Sequence, residues 1–496
     1  MRKYVRFYFE KESLIINTQF FLAYVYLSLM MPSLSQCLDQ KQFCILVEYL
    51  CSTKSPLAVR QSLANFPAMM TLADRVHADD DPAPLDLAKK YPDTVDKLIH
   101  FSGKARDIKD FEKLLDQLGK IGIHNLLLVT GDKLKSHDFG YEVAARRTRY
   151  LESVGAVMAA KQRQIFKIGV AFNPFKYTEA ESDAQYLKLH KKIKAGADFL
   201  ITQLGFDLDC LKQTQTFLQE NYPNFSAIAC VMPLTLKRAK FMVRNQVAGI
   251  IISQHLLQTL EHEYQSDPIQ ADSHVYARCA LQILICKHLG YAGVHLSACH
   301  KEDEQRKLEQ ALKAFENFSL IECEQAWKEL WKTDSLQAFK PEVKVSSQPV
   351  TQIQVLKYKN MHAMHRIFFE SKIARTVGHF VFKTSFWSKA NVQNILLKLE
   401  HSSKHRLVGC ESCGECRLGD TLYICPETCP KGLANGPCGG TTLDLCEFGD
   451  RECIHSIKAR LAKKIDQTEI LKTRLIPAIS ITTRNTSSWK SWFTNT

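Results

Sequence analysis

No stretch of this chain is apolar for long enough to cross a bilayer: the longest candidate, residues 20–31, falls short of the ~20 residues that a spanning helix needs. Arg2, Lys3 and Arg6 precede it, as they would the core of a signal segment, yet no small-residue cleavage site follows. Residues 1–36 are therefore read as an extension outside the fold or an overlong start, with a membrane anchor as the alternative, and the protein as cytoplasmic with no stable membrane span. Glycine and proline are scarce, at 21 and 16 of 496 residues, and nothing suggests a fibrous or disordered chain. The net charge is +13, but no finger, recognition helix or aromatic-basic signature accompanies it, and the basic residues are spread rather than gathered in one arm. That argues against a nucleic-acid partner and for an acidic small molecule. No glycine-rich phosphate loop follows the first apolar run, which disfavours a doubly wound dinucleotide fold. No internal repeat is visible.

What is present divides the chain in two. Its length exceeds what one core usually serves. Nine of the 17 cysteines are scattered, mostly inside apolar runs, where free cysteine acts as a small hydrophobe. The other eight lie between Cys410 and Cys453, and clustered thiols in a large reduced chain read as metal ligands.

Over the first part, eight strand-length apolar runs alternate with amphipathic stretches: residues 43–50, 67–72, 97–101, 125–131, 166–172, 198–204, 227–232 and 292–296. Near-continuous hydrophobicity is what strands covered on both faces require. Residues 247–252 form one further apolar run. Between the runs, Asp107 can cap a helix with Ile108, Phe111, Leu114, Leu115 and Leu118 on one face and Gly119 as its stop. Asp207 can cap another carrying Leu208, Leu211 and Leu218, and a third spans about 183–194 and stops at Gly196. The pattern predicts an α/β fold, a (β/α)8 barrel, followed by a small cysteine-rich, metal-binding α+β domain. Residues 308–333 read as helical, with Trp327 and Trp331 at an exposed-to-buried boundary. The expected divisions are 1–36 extension, 37–335 barrel, 336–356 linker, 357–470 cysteine-rich domain and 471–496 loosely ordered tail.

Barrels of this kind place reactive groups at the C-terminal ends of their strands. Glu48 lies in the otherwise apolar first run, where burial favours the protonated carboxyl that a general acid needs; a structural salt bridge is the plainer alternative. Gly131-Asp132 ends the fourth run, where a ligand could approach the backbone or a simple turn could sit. His100 ends the third, as a ligand contact or a satisfied core histidine. Thr202-Gln203 ends the sixth and offers an amide for the edge of a heterocycle.

Residues 195–207, Ala-Gly-Ala-Asp-Phe-Leu-Ile-Thr-Gln-Leu-Gly-Phe-Asp, resemble the sixth-strand signature of methylenetetrahydrofolate reductases. Gly131-Asp132 falls where that family has Arg-Gly-Asp, Glu48 where it has Phe-Glu-Phe-Phe-Pro-Pro, and Ala171-Phe172-Asn173-Pro174-Phe175 is similar to its divergent branch. The resemblance implies a flavin in the barrel mouth and a tetrahydrofolate derivative as substrate. By position it implies Glu48 as the acid that opens the imidazolidine ring and Asp132 beside the flavin as the residue tuning it. It puts Gln203 on the pterin edge and Phe206 against the folate. Thr71, His100, Gly131, Asp132 and Lys192 would line the flavin site, Lys192 at the phosphate. Thr130 replaces the family's arginine, the two prolines after Glu48 are absent, and Leu296-Ser297-Ala298-Cys299 replaces Thr-Leu-Asn-Arg, which leaves FAD and FMN both open.

Downstream, Cys410-x2-Cys413-x2-Cys416 is followed by Cys425-Pro-Glu-Thr-Cys429-Pro-Lys-Gly, then Asn435-Gly-Pro-Cys438-Gly-Gly, Cys446 and Cys453. This resembles the C-terminal domain of the same family. Thiols two or three residues apart can close on one metal, and Cys410, Cys413, Cys416, Cys425, Cys429 and Cys438 are the expected ligands, to an iron–sulfur cluster in preference to zinc. The expected function is flavin-dependent interconversion of 5,10-methylene- and 5-methyltetrahydrofolate, with electrons from NAD(P)H or a donor protein, in a monomer or a homo-oligomer. The alternative is a folate-binding methyl-transfer component or an electron-transfer subunit without its own reductase activity.

Overall fold

A computed structural model of the protein describes residues 32–49, 60–74, 83–91, 95–133, 150–342 and 348–494. The apolar segment 20–31 and part of the expected linker, 343–347, lie outside the described residues. Eight parallel strands form the core: β1 (Cys44–Tyr49), β2 (Phe66–Leu72), β3 (Lys97–Ser102), β4 (Asn125–Val129), β5 (Lys167–Phe172), β6 (Phe199–Thr202), β7 (Ser226–Val231) and β8 (Gly293–Leu296). Each pairs with the next, and β1 pairs with both β2 and β8, so the sheet closes. All eight predicted runs become these strands. A two-residue strand, Ser62–Leu63, adds a short antiparallel hairpin to β2.

Register decides what fills the barrel. Glu48 is level with Thr71, and His295 with both Leu46 and Cys230. Gly169 is level with Phe199, and a Cβ there would meet the Phe199 ring at 2.4 Å. A missing side chain on one strand thus makes room for a large one on its neighbour.

The helices follow their caps. Asp107 accepts from the amides of Lys109 and Asp110 at the start of Ile108–Lys120. That helix runs through Gly119, and the left-handed residue beyond its end is Gly122 at φ 68°. The helix expected from 183 begins four residues earlier, as Glu179–Ala195, because Thr178 and Glu181 form a capping box; Gly196 ends it at φ 111°. Asp207 caps Leu208–Asn221 as expected. Helix Leu34–Asp39 straddles the expected boundary at 36. Leu34, Cys37 and Leu38 are buried in the main core, and the Leu34 amide donates to Asp96 at the foot of β3 over 2.6 Å.

Two readings change. Trp327 and Trp331 are both 1% exposed and pack edge to face with each other, while Phe339, from the first residues of the expected linker, stacks on Trp327 and meets Trp331 edge to face. The apolar run 247–252 is not a strand; it is a turn with Gly249 at φ 72°, pressed against the carbonyl of Gly439.

Beyond the barrel the described residues contain helices and tight turns but only isolated bridges, such as Thr442 with Leu445. The α+β character expected there is reduced to those bridges. Left-handed backbone at Ser412, Gly414, Leu422, Tyr423 and Gly432 interrupts any ladder. In the segment expected as a loose tail, Ser487 and the Ser488 amide donate to buried Glu400 over 2.6 and 2.8 Å, and the Phe493 ring fills the space above Gly378.

Candidate functional site

The barrel mouth holds two groups of polar side chains. In one the Ser297 hydroxyl, just past β8, donates to the Glu48 carboxylate near the end of β1. In the other, Thr71 Oγ1 lies 3.0 Å from His295 Nε2, with Cys230 Sγ 3.6 Å from the other ring nitrogen. His100 packs beside His295 with ring centroids 5.4 Å apart, and its Nε2 is buried without a hydrogen-bond partner. Burial holds both histidines below their ordinary range, with each other's charge adding to this at His100. They are neutral rings at physiological pH, able to offer one donor and one acceptor each.

Of the residues predicted for a site, Glu48, Thr71 and His100 come together here. Gly131 and Asp132 follow β4 at the rim, where Tyr150 donates its hydroxyl to the Asp132 carbonyl over 3.2 Å. Lys192 is not at the mouth. It reaches from the helix layer to the Ala171 carbonyl, and burial lowers its pKa to about 7. The Gln203 amide is committed to the backbone, donating to Ala248 O at 3.2 Å and accepting from Leu204 N at 2.9 Å. Phe206 is 4% exposed, with its ring 6.4 Å from that of Trp331 in the core. The sequence reading missed His295 and Ser297. Their spacing of two at the end of a strand carried the signal, since alternate residues share the barrel interior.

The cysteine-rich segment docks on the same rim. Lys431 donates to the Gly131 carbonyl at 2.7 Å and pairs with Glu447 at 2.6 Å; Glu447 also accepts from the Lys133 amide at 2.7 Å and from Cys438 Sγ at 3.3 Å. Asn173, after β5, donates to both Gly249 O and Gly439 O at 3.0 and 2.7 Å. Glu152 accepts from the amides of Ala434 and Asn435 and pairs with Lys188 at 3.1 Å.

The eight clustered thiols fall into two groups of four. Cys410, Cys413, Cys416 and Cys425 line one small cavity with Lys404, Arg417 and Glu427. Cys429, Cys438, Cys446 and Cys453 gather on the barrel side, close enough for charge on one to raise the pKa of another. The six expected ligands therefore do not share one site: the turn Pro426–Thr428 carries the chain from the first group to the second. Burial raises the thiols to about 12 at Cys425 and Cys438 and about 11 at Cys410 and Cys446. Among the described residues no group of three or more His, Cys, Asp or Glu side chains is placed to hold a single metal ion.

Residues 59–313 match the family model described as methylenetetrahydrofolate reductase, and residues 389–481 match methylene-tetrahydrofolate reductase C terminal. Among curated proteins, methylenetetrahydrofolate reductase 1 of Schizosaccharomyces pombe is 24% identical over 210 residues, which is 40% of this chain and 32% of that one. Methylenetetrahydrofolate reductase 2 of Saccharomyces cerevisiae is 26% identical over 198 residues, 38% of this chain and 30% of that one. The match thus spans about a third of each relative's length. A solved structure from Clostridium thermocellum, titled as an uncharacterized protein that binds two copies of 5-methyl-5,6,7,8-tetrahydrofolic acid, aligns at a TM-score of 0.39 and 13% identity, covering 57% of this chain and 99% of that one.

Proposed function

Since the chain belongs to the methylenetetrahydrofolate reductase family, we propose that its barrel mouth reduces 5,10-methylenetetrahydrofolate to 5-methyltetrahydrofolate. One observation carries this: a carboxyl group, Glu48, which acts as an acid in its protonated form, stands near the end of an otherwise apolar strand and is oriented by the Ser297 hydroxyl just past the neighbouring strand. Ring opening needs a proton at the departing nitrogen, and Glu48 is placed to give it. The buried, unpartnered Nε2 of His100 fits the polar edge of a planar heterocycle, so a flavin is consistent with this end of the site. Lys192 does not fit the phosphate role, because its ammonium is spent on Ala171. A bound flavin would supply hydride to the methylene carbon. Thr71 and His295 would fix the floor beneath it, and the rim formed by Gly131, Asp132 and Lys431 would limit water.

The two groups of thiols fit metal–thiolate chemistry in donor type and number, four to each, though their side chains do not yet converge. Cys410, Cys413, Cys416 and Cys425 would hold one centre, and Cys429, Cys438, Cys446 and Cys453 the other. Such centres supply one-electron transfer when iron–sulfur and rigidity when zinc. Burial raises the thiols of Cys410, Cys413, Cys425, Cys429, Cys438 and Cys446, so loading must release protons.

The test is an absorbance spectrum of anaerobically purified protein with iron and zinc analysis, followed by folate reduction by wild type and Glu48→Gln. Flavin bands in both proteins, with reduction lost only in the variant, support the assignment. Full reduction by Glu48→Gln removes Glu48 from the mechanism. A colourless protein that binds folate without reducing it favours the methyl-transfer alternative.

A further inference from the structure

Exposed apolar side chains are concentrated in one region. Of the 20 large hydrophobic residues exposed among the described residues, 13 lie between Ile353 and Leu407. This region is the helical lobe of Gln352–His365, Lys372–Phe382 and Ala390–Val408, which precedes the first group of thiols. On the middle helix Ile373, Val377, Phe380 and Val381 recur at spacings of four, three and one, a single face, and all are exposed. Ile353, Ile373 and Phe380 are 78, 77 and 79% exposed, so they project from the surface and do not line a groove.

Charge narrows the choice of occupant. Residues 352–408 contain ten Lys and Arg against two acids, so this lobe carries eight of the chain's thirteen net positive charges. Both acids are already engaged, Glu370 with His365 at 3.2 Å and Glu400 with Lys404 at 2.7 Å. A second copy would set this face against itself in a two-fold dimer and bring like charge to like charge. A protein partner would need a separate pocket for each projecting side chain, whereas lipid adapts to their shape.

We propose that this face of the lobe binds an anionic lipid surface. Ile373, Phe380 and Phe368 enter the boundary between headgroups and acyl chains, and Lys372 and Lys383, on the flank of that face, meet the headgroup phosphates. No helix among the described residues is long and apolar enough to cross a membrane, so the association is peripheral and reversible.

The experiment is flotation of the full chain with vesicles of phosphatidylcholine alone and of equal parts phosphatidylcholine and phosphatidylglycerol. Wild type is expected to float with the anionic vesicles only, less so as salt rises. The double variant Ile373→Ser, Phe380→Ser should bind about a hundredfold more weakly, and Lys372→Gln or Lys383→Gln about fivefold each. Ile353→Ser, on a different helix, repeats the test if the double variant fails to fold. Wild type floating with neither vesicle, or the apolar variants binding as well as wild type, overturns the proposal. So does a dimer that the double variant abolishes while vesicle binding is absent, which would assign the face to a second copy.

Discussion

At the scale of single residues, the mouth separates a proton donor from the groups that position it. Glu48→Gln keeps the shape and the Ser297 contact but has no proton to give, so reduction should fall by a factor of ~10²–10⁴ while flavin and folate binding persist. Ser297→Ala leaves the carboxyl free to rotate; we expect about a tenfold loss in kcat with KM little changed, read by steady-state kinetics. Lys192 gives a prediction about stability. Burial lowers its pKa from 10.5 to about 7 in the folded protein, so between those values the unfolded chain holds the extra proton. The cost of burying the ammonium is present in full below the folded value and is relieved as pH rises toward the unfolded one. Wild type should therefore gain about 2–5 kcal/mol on Lys192→Met between neutral and alkaline pH, seen in paired urea melts. A parallel pair of curves would show that the lysine does not titrate in this range.

At the scale of elements, the strands were legible and the docking surfaces were not. Eight apolar runs bounded by turn residues are what a closed parallel sheet demands, and all eight were placed. The ninth, 247–252, has the same composition for another reason: it is covered by the loop at Gly439, a contact nearly 200 residues away that no local pattern reports. Glu48 and His100 are read from their strands and Thr71 from the family resemblance, and the three come together at the mouth. Gln203 is also read from a strand end, but its amide bonds to Ala248 O and Leu204 N, and Phe206, given by the resemblance, packs near Trp331. Helix Glu179–Ala195 shows the same limit. Gln185 and Lys188 look like a solvated face, yet Gln185 donates to Cys438 O at 2.8 Å and Lys188 to Gly436 O and Pro437 O at 3.1 and 2.9 Å. Beside Lys188 on the barrel side, Glu152 accepts from the amides of Ala434 and Asn435 across the seam. Burial pushes its pKa up, but Lys188 and the amides of Asn435 and Ala434 outweigh that and hold it below the ordinary range. Glu152→Gln strands a buried ammonium and should cost about 3–5 kcal/mol, checked by chemical denaturation. A loss no larger than that of an exposed Glu→Gln change would mean that the pair is inconsequential.

At the scale of the whole molecule, the question is whether barrel and cysteine-rich segment act as one body. The seam between them is polar and buried: Lys176, Lys188, Glu152, Asn435 and Lys431 are each less than a tenth exposed, and each finds its partner across it. Removing either side leaves the other with charged groups buried for an interface that no longer exists, a penalty of ~1–3 kcal/mol per stranded group and more for charged ones. An apolar seam could be separated and merely become sticky; this one loses the pairing that made its burial tolerable. A protease site placed within residues 343–347 offers the test. After cleavage the two fragments should stay together through gel filtration at neutral pH, and the intact chain should melt in one transition. Acid should separate the fragments, because Glu152 is a carboxylate held below its ordinary range, and its contribution is lost as pH falls through the folded value. The same cleavage in Glu152→Gln should release the fragments at neutral pH. Fragments that part freely in the wild type would show that the seam adds no cohesion and that the rim at Gly131 is shared by two independent bodies.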